Sequence, residues 1–381
     1  MTFAQLSVVC LVGLLGPLLA LPKRWHLPVV LGELIAGIVI GRTGFGYVDT
    51  TDSVFTFLAN LGFALVMFIA GTHVPVRDPT LRPALRAGVL RAVAVGVLSA
   101  AGGWALAAAT GVHHGAMFAV LLASSSAALV LPIVDSLRLG GPKVVALLPQ
   151  VAVADAACIV ALPLAIDPAH AWRAAGGALA VIAASAVLFV LLRRFDANGL
   201  WHRVHDTSQH RLLALELRIQ LVILFALAAV ATTTHVSIML AGFAFGLAVA
   251  GVGEPRRLAK QLFGLGEGFL APVFFVWLGA SLDLRAFGSH PGMIGVGLLL
   301  GLGAVLTHLV AVLRGVPLSL ALLSSAQLGV PVAAATIGTQ SGLLRPGEAS
   351  ALMLGALVTI AAAVAGGGLA VRSGLVEEAT R

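Results

Sequence analysis

Long apolar runs separated by short polar stretches set the pattern of this chain. Thirteen runs can be marked, at approximately 6–22, 27–45, 54–73, 87–110, 114–136, 143–166, 174–193, 213–233, 235–252, 258–282, 292–313, 318–342 and 347–371. Each is close to the roughly 20 residues a helix needs to cross the hydrocarbon core of a bilayer. Backbone polar groups in lipid must be satisfied within the segment itself, so runs of this length predict helices. The expected fold is an all-α polytopic membrane protein of about 13 transmembrane helices. The longest loop, 194–212, is polar and holds Arg203, His205, Asp206 and His210. No extramembrane domain is expected, and the stretch after 371 is too short for a regulatory domain.

Composition agrees with the pattern. Hydrophobic residues make up 59% of the 381 positions and charged residues 10%, whereas a soluble domain carries about 25% charged residues. The formal net charge of +7 comes from basic residues scattered through short loops. They form no single patch, which excludes nucleic acid as a partner. Cys10 and Cys158 fall in different apolar runs, so neither a disulfide nor a zinc site is expected. No cofactor is expected, and no metal beyond a transported cation. Met1 to Gln5 carries no positive charge, while Lys23 and Arg24 follow the first run. That order suits a retained helix with its N-terminus outside rather than a cleaved signal.

Charge placement tests the span count. With thirteen spans and the N-terminus outside, 19 of the 23 Lys and Arg residues fall on the cytoplasmic side. The other side holds Arg42, Arg173, Arg285 and Arg345. A miscounted span would reverse every later loop and erode this bias. A cell (inner) membrane location with a cytoplasmic C-terminus is therefore expected. Trp25, Trp172 and Trp201 sit at span ends or in adjoining loops, where indoles suit the interface.

Two spans are interrupted by polar residues at mid-membrane depth. Span five contains Ser124-Ser125-Ser126-Ala127, followed by Pro132. Span twelve contains Ser324-Ser325-Ala326-Gln327-Leu328-Gly329-Val330-Pro331. Pro331 removes a backbone donor and Gly329 relaxes the chain beside it, so a break is expected there. The two spans are seven apart in order and so cross the membrane in opposite directions. This predicts two inverted six-helix repeats with crossed broken helices: repeat one over 1–170, a linker helix within 171–212, and repeat two over 213–371. Interrupted helices at matching positions of two halves point to a secondary-transporter binding site.

Asp155 is the one carboxylate placed at the midpoint of a span. A charged side chain at that depth costs at least ~2.5–3.5 kcal/mol on insertion scales. Binding a proton or a cation removes the charge, which makes Asp155 the candidate for holding either in turn. Glu33 lies nearer the cytoplasmic end of span two, where pairing with a loop arginine is expected. Glu216, Arg218 and Glu267 read as interfacial. His308 in span eleven is either a modulator of proton movement or a hydrogen-bonded structural residue. Gly297-x-x-x-Gly301 in the same span reads as close helix packing.

Several segments resemble one transporter family. Leu31-Gly32-Glu33-Leu34-Ile35-Ala36-Gly37-Ile38-Val39-Ile40-Gly41 is similar to the second-helix signature of the monovalent cation:proton antiporter-2 family. Ser124-Ser125-Ser126-Ala127 looks like its serine/threonine-rich broken helix, and Asp155 matches its ion-binding aspartate. Phe274-Phe275-Val276-Trp277-Leu278-Gly279-Ala280-Ser281-Leu282-Asp283 is similar to its late signature. The resemblance implies a mobile core of helices 4–6 and 11–13, a dimerisation domain and hence a homodimer, and elevator-like alternating access. Two positions depart from the pattern. Ala154 stands where many relatives have an acid or Asn, and span eleven lacks the lysine of some electrogenic relatives, with Thr307 and His308 in that region.

The expected function is exchange of a monovalent cation, Na+ or K+, for protons. Ser124, Ser125, Ser126, nearby unwound carbonyls and Gln327 would complete the cation shell around Asp155, with Ala127, Gly329 and Pro331 shaping the crossing. One carboxylate without a lysine makes one-for-one, electroneutral exchange the simplest stoichiometry. Two readings stay open beside it: a sodium-coupled symporter of organic anions on a similar scaffold, and a non-transporting or channel-like relative. No metal-ligand spacing and no Gly-x-Ser-x-Gly elbow points to an enzyme.

Overall fold

The computed structural model describes residues 1–22, 29–72, 82–166, 171–198, 215–234, 236, 238–253 and 260–376. Among them the apolar runs fall on thirteen helices: α1 Phe3–Ala20, α2 Val29–Ile40, α3 Ser53–Thr72, α4 Arg86–Thr110, α5 Gly115–Ser136, α6 Pro142–Ile166, α7 Ala175–Phe195, α8 Leu217–Thr233, α9 Ile238–Val252, α10 Lys260–Ser281, α11 Gly292–Arg314, α12 Leu318–Thr339 and α13 Glu348–Arg372. Ten are long and apolar enough to cross a membrane, and α2, α8 and α9 are shorter. The run expected to reach residue 45 stops being helical after Ile40, where Gly41 to Phe45 form turns. Trp25, Trp201, Arg203, His205, Asp206 and His210 lie outside the described residues.

The chain forms two compact units. The first comprises Met1–Thr56, Thr80–Pro168 and Phe275–Arg381. Within it α4 packs on α5, α6 and α11, and α13 packs on α11 and on both parts of α12. The six helices α4–α6 and α11–α13 thus share one core, and α1 and α2 belong to the same unit. Glycine lets backbones touch here. A Cβ on Gly37 would lie 2.2 Å from Val276 O, and one on Gly279 would lie 2.1 Å from Leu34 O, so α2 and the end of α10 meet without side chains between them. Gly297 and Gly301 do the same for α11 against Ala351, Gly355 and Val358 of α13. The spacing read as close packing in the sequence therefore packs closely.

The second unit comprises Phe57–Pro79 and Ala169–Phe274. In it α9 packs on α7 and α8. Gly242 and Gly246 bring α9 onto the backbone of α3 at Ala64 and Phe68. Phe63 and Phe274 stack with ring centroids 4.5 Å apart. Glu267 is exposed, in a single π-helical turn Gly266–Leu270 within α10.

Several contacts join loops of the first unit. His114, before α5, lies 2.7 Å from Glu348 at the start of α13. Arg285, after α10, donates to the carbonyls of Thr43 and Gly44, after α2. The N-terminal ammonium reaches Asp52. Those contacts join five segments, since Thr43, Gly44 and Asp52 share the stretch between α2 and α3, and all five fall on one side of the membrane if each helix crosses once. Gly140 N, between α5 and α6, donates to Leu375 O beyond α13, and those two fall on the other side.

Candidate functional site

Both interrupted helices are broken, and their breaks meet. The two helical parts of α5 are Gly115–Ala123 and Ala127–Ser136. Between them Ser124 (φ −70, ψ 146) and Ser126 (φ −115, ψ 107) are extended. Serine side chains compete with the helical ladder for backbone partners, and Ser124 Oγ donates to Leu121 O at 3.0 Å. The parts of α12 are Leu318–Ser324 and Gly329–Gln340.

The break in α12 lies a few residues before Pro331. The proline is the third residue of the trailing part, a position whose amide has no intrahelical partner in any case. Its ring excludes a helical carbonyl four residues earlier, at Gln327. Pro331 therefore fixes where the trailing part begins and stays inside it. Gly329 is the first residue of that part, as Ala127 is of the trailing part of α5.

The breaks are bonded to each other. Ser126 N donates to Ala326 O at 2.7 Å, and Ser125 Oγ donates to Ser324 O at 2.7 Å. The Gln327 amide nitrogen donates to Leu121 O, and to Ser124 O at 3.3 Å. Thr307 Oγ1, on α11, donates to Leu122 O at 3.2 Å. Carbonyls at the end of the leading part of α5, which would be orphaned in a broken helix, thus receive donors from α11 and α12.

Asp155 comes to the same place from α6. It is 1% exposed, and its Oδ2 accepts the Ala127 N–H at 2.8 Å. The carboxylate sits where the trailing part of α5 begins, at the positive end of that part's dipole. Among the described residues the buried carboxyl groups are Glu33, Asp155 and Glu348. Of these Asp155 alone is bonded to a break. Ser124, Ser125, Ser126 and Gln327 are all buried at the two breaks. The arrangement gathers hydroxyl, carbonyl and carboxylate oxygens, the ligand chemistry of a hard cation.

Other sequence candidates sit apart. Glu33 is buried on α2 against Gly16 of α1, and Lys23 and Arg24 beside it in the sequence lie outside the described residues. His308 is buried with Nδ1 3.0 Å from Ala304 O of its own helix. Thr307, its neighbour, hydrogen-bonds to the broken helix at Leu122 O. Sequence reasoning missed Thr359 of α13, whose Oγ1 accepts Gln327 N at 3.2 Å. The available signal was its placement, a lone threonine near the middle of an apolar span, as Asp155 is a lone aspartate in α6.

The sodium/hydrogen exchanger transmembrane family matches residues 8–371. The putative Na(+)/H(+) antiporter YjbQ of Bacillus subtilis is 26% identical over 93% of the chain and 61% of its own length. The Na(+)/H(+)-K(+) antiporter GerN of Bacillus cereus is 27% identical over 76% of the chain and 74% of its own. The chain thus spans about three fifths of the length of the first of these relatives. In fold it resembles the sodium proton antiporter MjNhaP1 of Methanocaldococcus jannaschii, with a TM-score of 0.65 and 17% identity, covering 97% of this chain and 98% of that one.

Proposed function

The chain belongs to the sodium/hydrogen exchanger transmembrane family, and we propose that it exchanges a monovalent cation, Na+ or K+, for protons across a cell membrane by alternating access. The observation that carries this reading is the single carboxylate of Asp155, buried and bonded to Ala127 N where two broken helices cross. An unpaired charge is costly at that depth. Asp155 therefore changes sides either protonated or with a cation bound, and not empty. Occupancy by one excludes the other, and this coupling converts a proton gradient into cation movement.

Ser124, Ser125, Ser126, the carbonyls of the breaks and Gln327 supply the remaining oxygens of the cation shell. In the present arrangement the Ser125 hydroxyl donates to Ser324 O, which leaves its own lone pairs able to face a cation. One carboxylate and no lysine at the crossing gives one proton for one cation, an electroneutral cycle. Among the described residues no arginine is bonded to the breaks, so the site lacks the anchor that an organic-anion symporter needs.

The same reading assigns the chain two inverted repeats, over 1–170 and 213–371, joined through a linker helix within 171–212. It places the N-terminus outside and the C-terminus in the cytoplasm, on the distribution of Lys and Arg. It makes the protein a homodimer in the inner membrane, with the six-helix core as the moving part. The test is a pH-gradient dequenching assay on purified protein in liposomes, with Na+, K+ and Li+ added in turn. Recovery of fluorescence on adding Na+ or K+ is expected. A pH gradient that none of these cations dissipates would overturn the proposal.

A further inference from the structure

Thr359 stands towards the break of α12 as Asp155 stands towards the break of α5. Each lies near the middle of the helix that follows its broken partner, and each side-chain oxygen accepts a backbone N–H from that partner's break. Asp155 Oδ2 takes Ala127 N at 2.8 Å, and Thr359 Oγ1 takes Gln327 N at 3.2 Å. The Thr359 side chain is fully buried, and its hydroxyl donates to Ala356 O one turn earlier, at 2.8 Å. That donation turns the oxygen's acceptor side towards Gln327. The Gln327 side chain then continues the connection to Leu121 O and Ser124 O of α5.

We propose that Thr359 is a positioning residue for the cation site, holding the α12 break through the Gln327 backbone and so placing the Gln327 amide against the serine segment of α5. The inference rests on the exchange function proposed above and adds a residue to that site. Its physical content is the acceptor. Without the hydroxyl, Gln327 N–H is buried with no partner, and the break relaxes until it finds one. The Gln327 amide is then no longer fixed beside Ser124, and the oxygens around Asp155 lose their arrangement. The hydroxyl also does this work without charge. A carboxylate in its place would cap the N–H equally well but would give the crossing a second group to neutralise in every cycle.

The experiment compares wild type with Thr359→Val, Thr359→Ala and Thr359→Ser in liposomes, measuring exchange rate against cation concentration. Val and Ala remove the acceptor, and Ser keeps it while removing the methyl group. Loss of one buried hydrogen bond predicts a rise of about tenfold in the half-saturating cation concentration for Val and Ala. The maximal rate per protein should change less than about twofold, and Ser should restore the wild-type half-saturation. Recovery of either Val or Ala in the membrane is sufficient for the comparison. A half-saturation unchanged in both, or a Ser variant shifted as far as Ala, would overturn the positioning role. Wild-type protein that exchanges normally while the variants match it removes only this inference. Wild-type protein that exchanges nothing removes the exchange function and this inference with it.

Discussion

An imposed membrane potential should leave the balance point of exchange unchanged, because the crossing carries a single ionisable group that each cargo neutralises. Among the described residues, Asp155 is the ionisable side chain bonded to the breaks, and its partner there is the neutral Ala127 N–H. Gln327, Thr307 and Thr359, which satisfy the other groups of the breaks, carry no charge. With a proton bound the moving unit is neutral at the site, and with a monovalent cation bound it is neutral again. Had one net charge crossed per cycle, a potential of about 100 mV would contribute about 2.3 kcal/mol. That equals about 45-fold in the cation gradient the exchanger sustains at balance. A one-for-one cycle predicts no displacement. The assay uses proteoliposomes free of K+, with a diffusion potential set by a gradient of the permeant anion thiocyanate and sodium as the exchanged cation, followed by a pH-sensitive dye. The balance point should stay within about twofold when the potential is reversed in sign. A displacement that follows the sign of the potential would refute the single-carboxylate account and require a further charge to move with the cargo.

Two further perturbations test parts of the same structure. Gln327→Leu removes a donor to Leu121 O, which keeps its bonds from Ser124 N and Oγ, and the donor to Ser124 O, leaving that one buried acceptor to relax or stay unpaired, at a cost of about 1–3 kcal/mol. The expected outcome is a lower unfolding temperature together with weaker cation dependence, and an unfolding temperature equal to wild type would show that the bond is dispensable. Gly279→Val places a Cβ 2.1 Å from Leu34 O, inside the contact distance of two backbones. It should cost more than about 3 kcal/mol through overpacking and sharply reduce the amount of folded protein in the membrane. Normal yield and stability would mean that α2 and α10 are free to separate.

Particular residues explain why some of this was legible in the sequence and some was not. The apolar runs were legible because lipid permits no other economical way to satisfy a backbone, so length and composition sufficed. The break in α5 was legible because three consecutive serines compete with the helix they interrupt. The break in α12 was legible as a stretch, Ser324 to Pro331, and not to the residue, because a proline bars the helix from extending backward and can itself remain helical near a start. Asp155 stood out by cost alone, since a carboxylate at mid-span has to be accounted for. Thr359 did not, because threonine in an apolar helix can satisfy its hydroxyl on a carbonyl one turn back, as it does with Ala356. Its second bond, to Gln327, depends on tertiary placement. Choosing between Thr307 and His308 was likewise beyond the sequence. Neighbours on a helix point about 100° apart, and only the packing of α11 shows that Thr307 reaches α5 while His308 bonds within its own helix.

The central claim is that one side chain carries both cargoes, and Asp155→Asn addresses it most directly. Asparagine keeps the size of the side chain and an oxygen able to accept Ala127 N–H, but it neither binds a proton in exchange nor neutralises a cation. Purified wild-type and variant proteins would be reconstituted at equal density, and proton movement triggered by Na+ or K+ would be followed with a pH-sensitive dye. The account predicts cation-triggered proton movement in the wild type and none above protein-free liposomes in the variant, with both proteins unfolding at similar temperatures. Cation-triggered proton movement retained in the Asn variant would contradict it and remove Asp155 from the transport step.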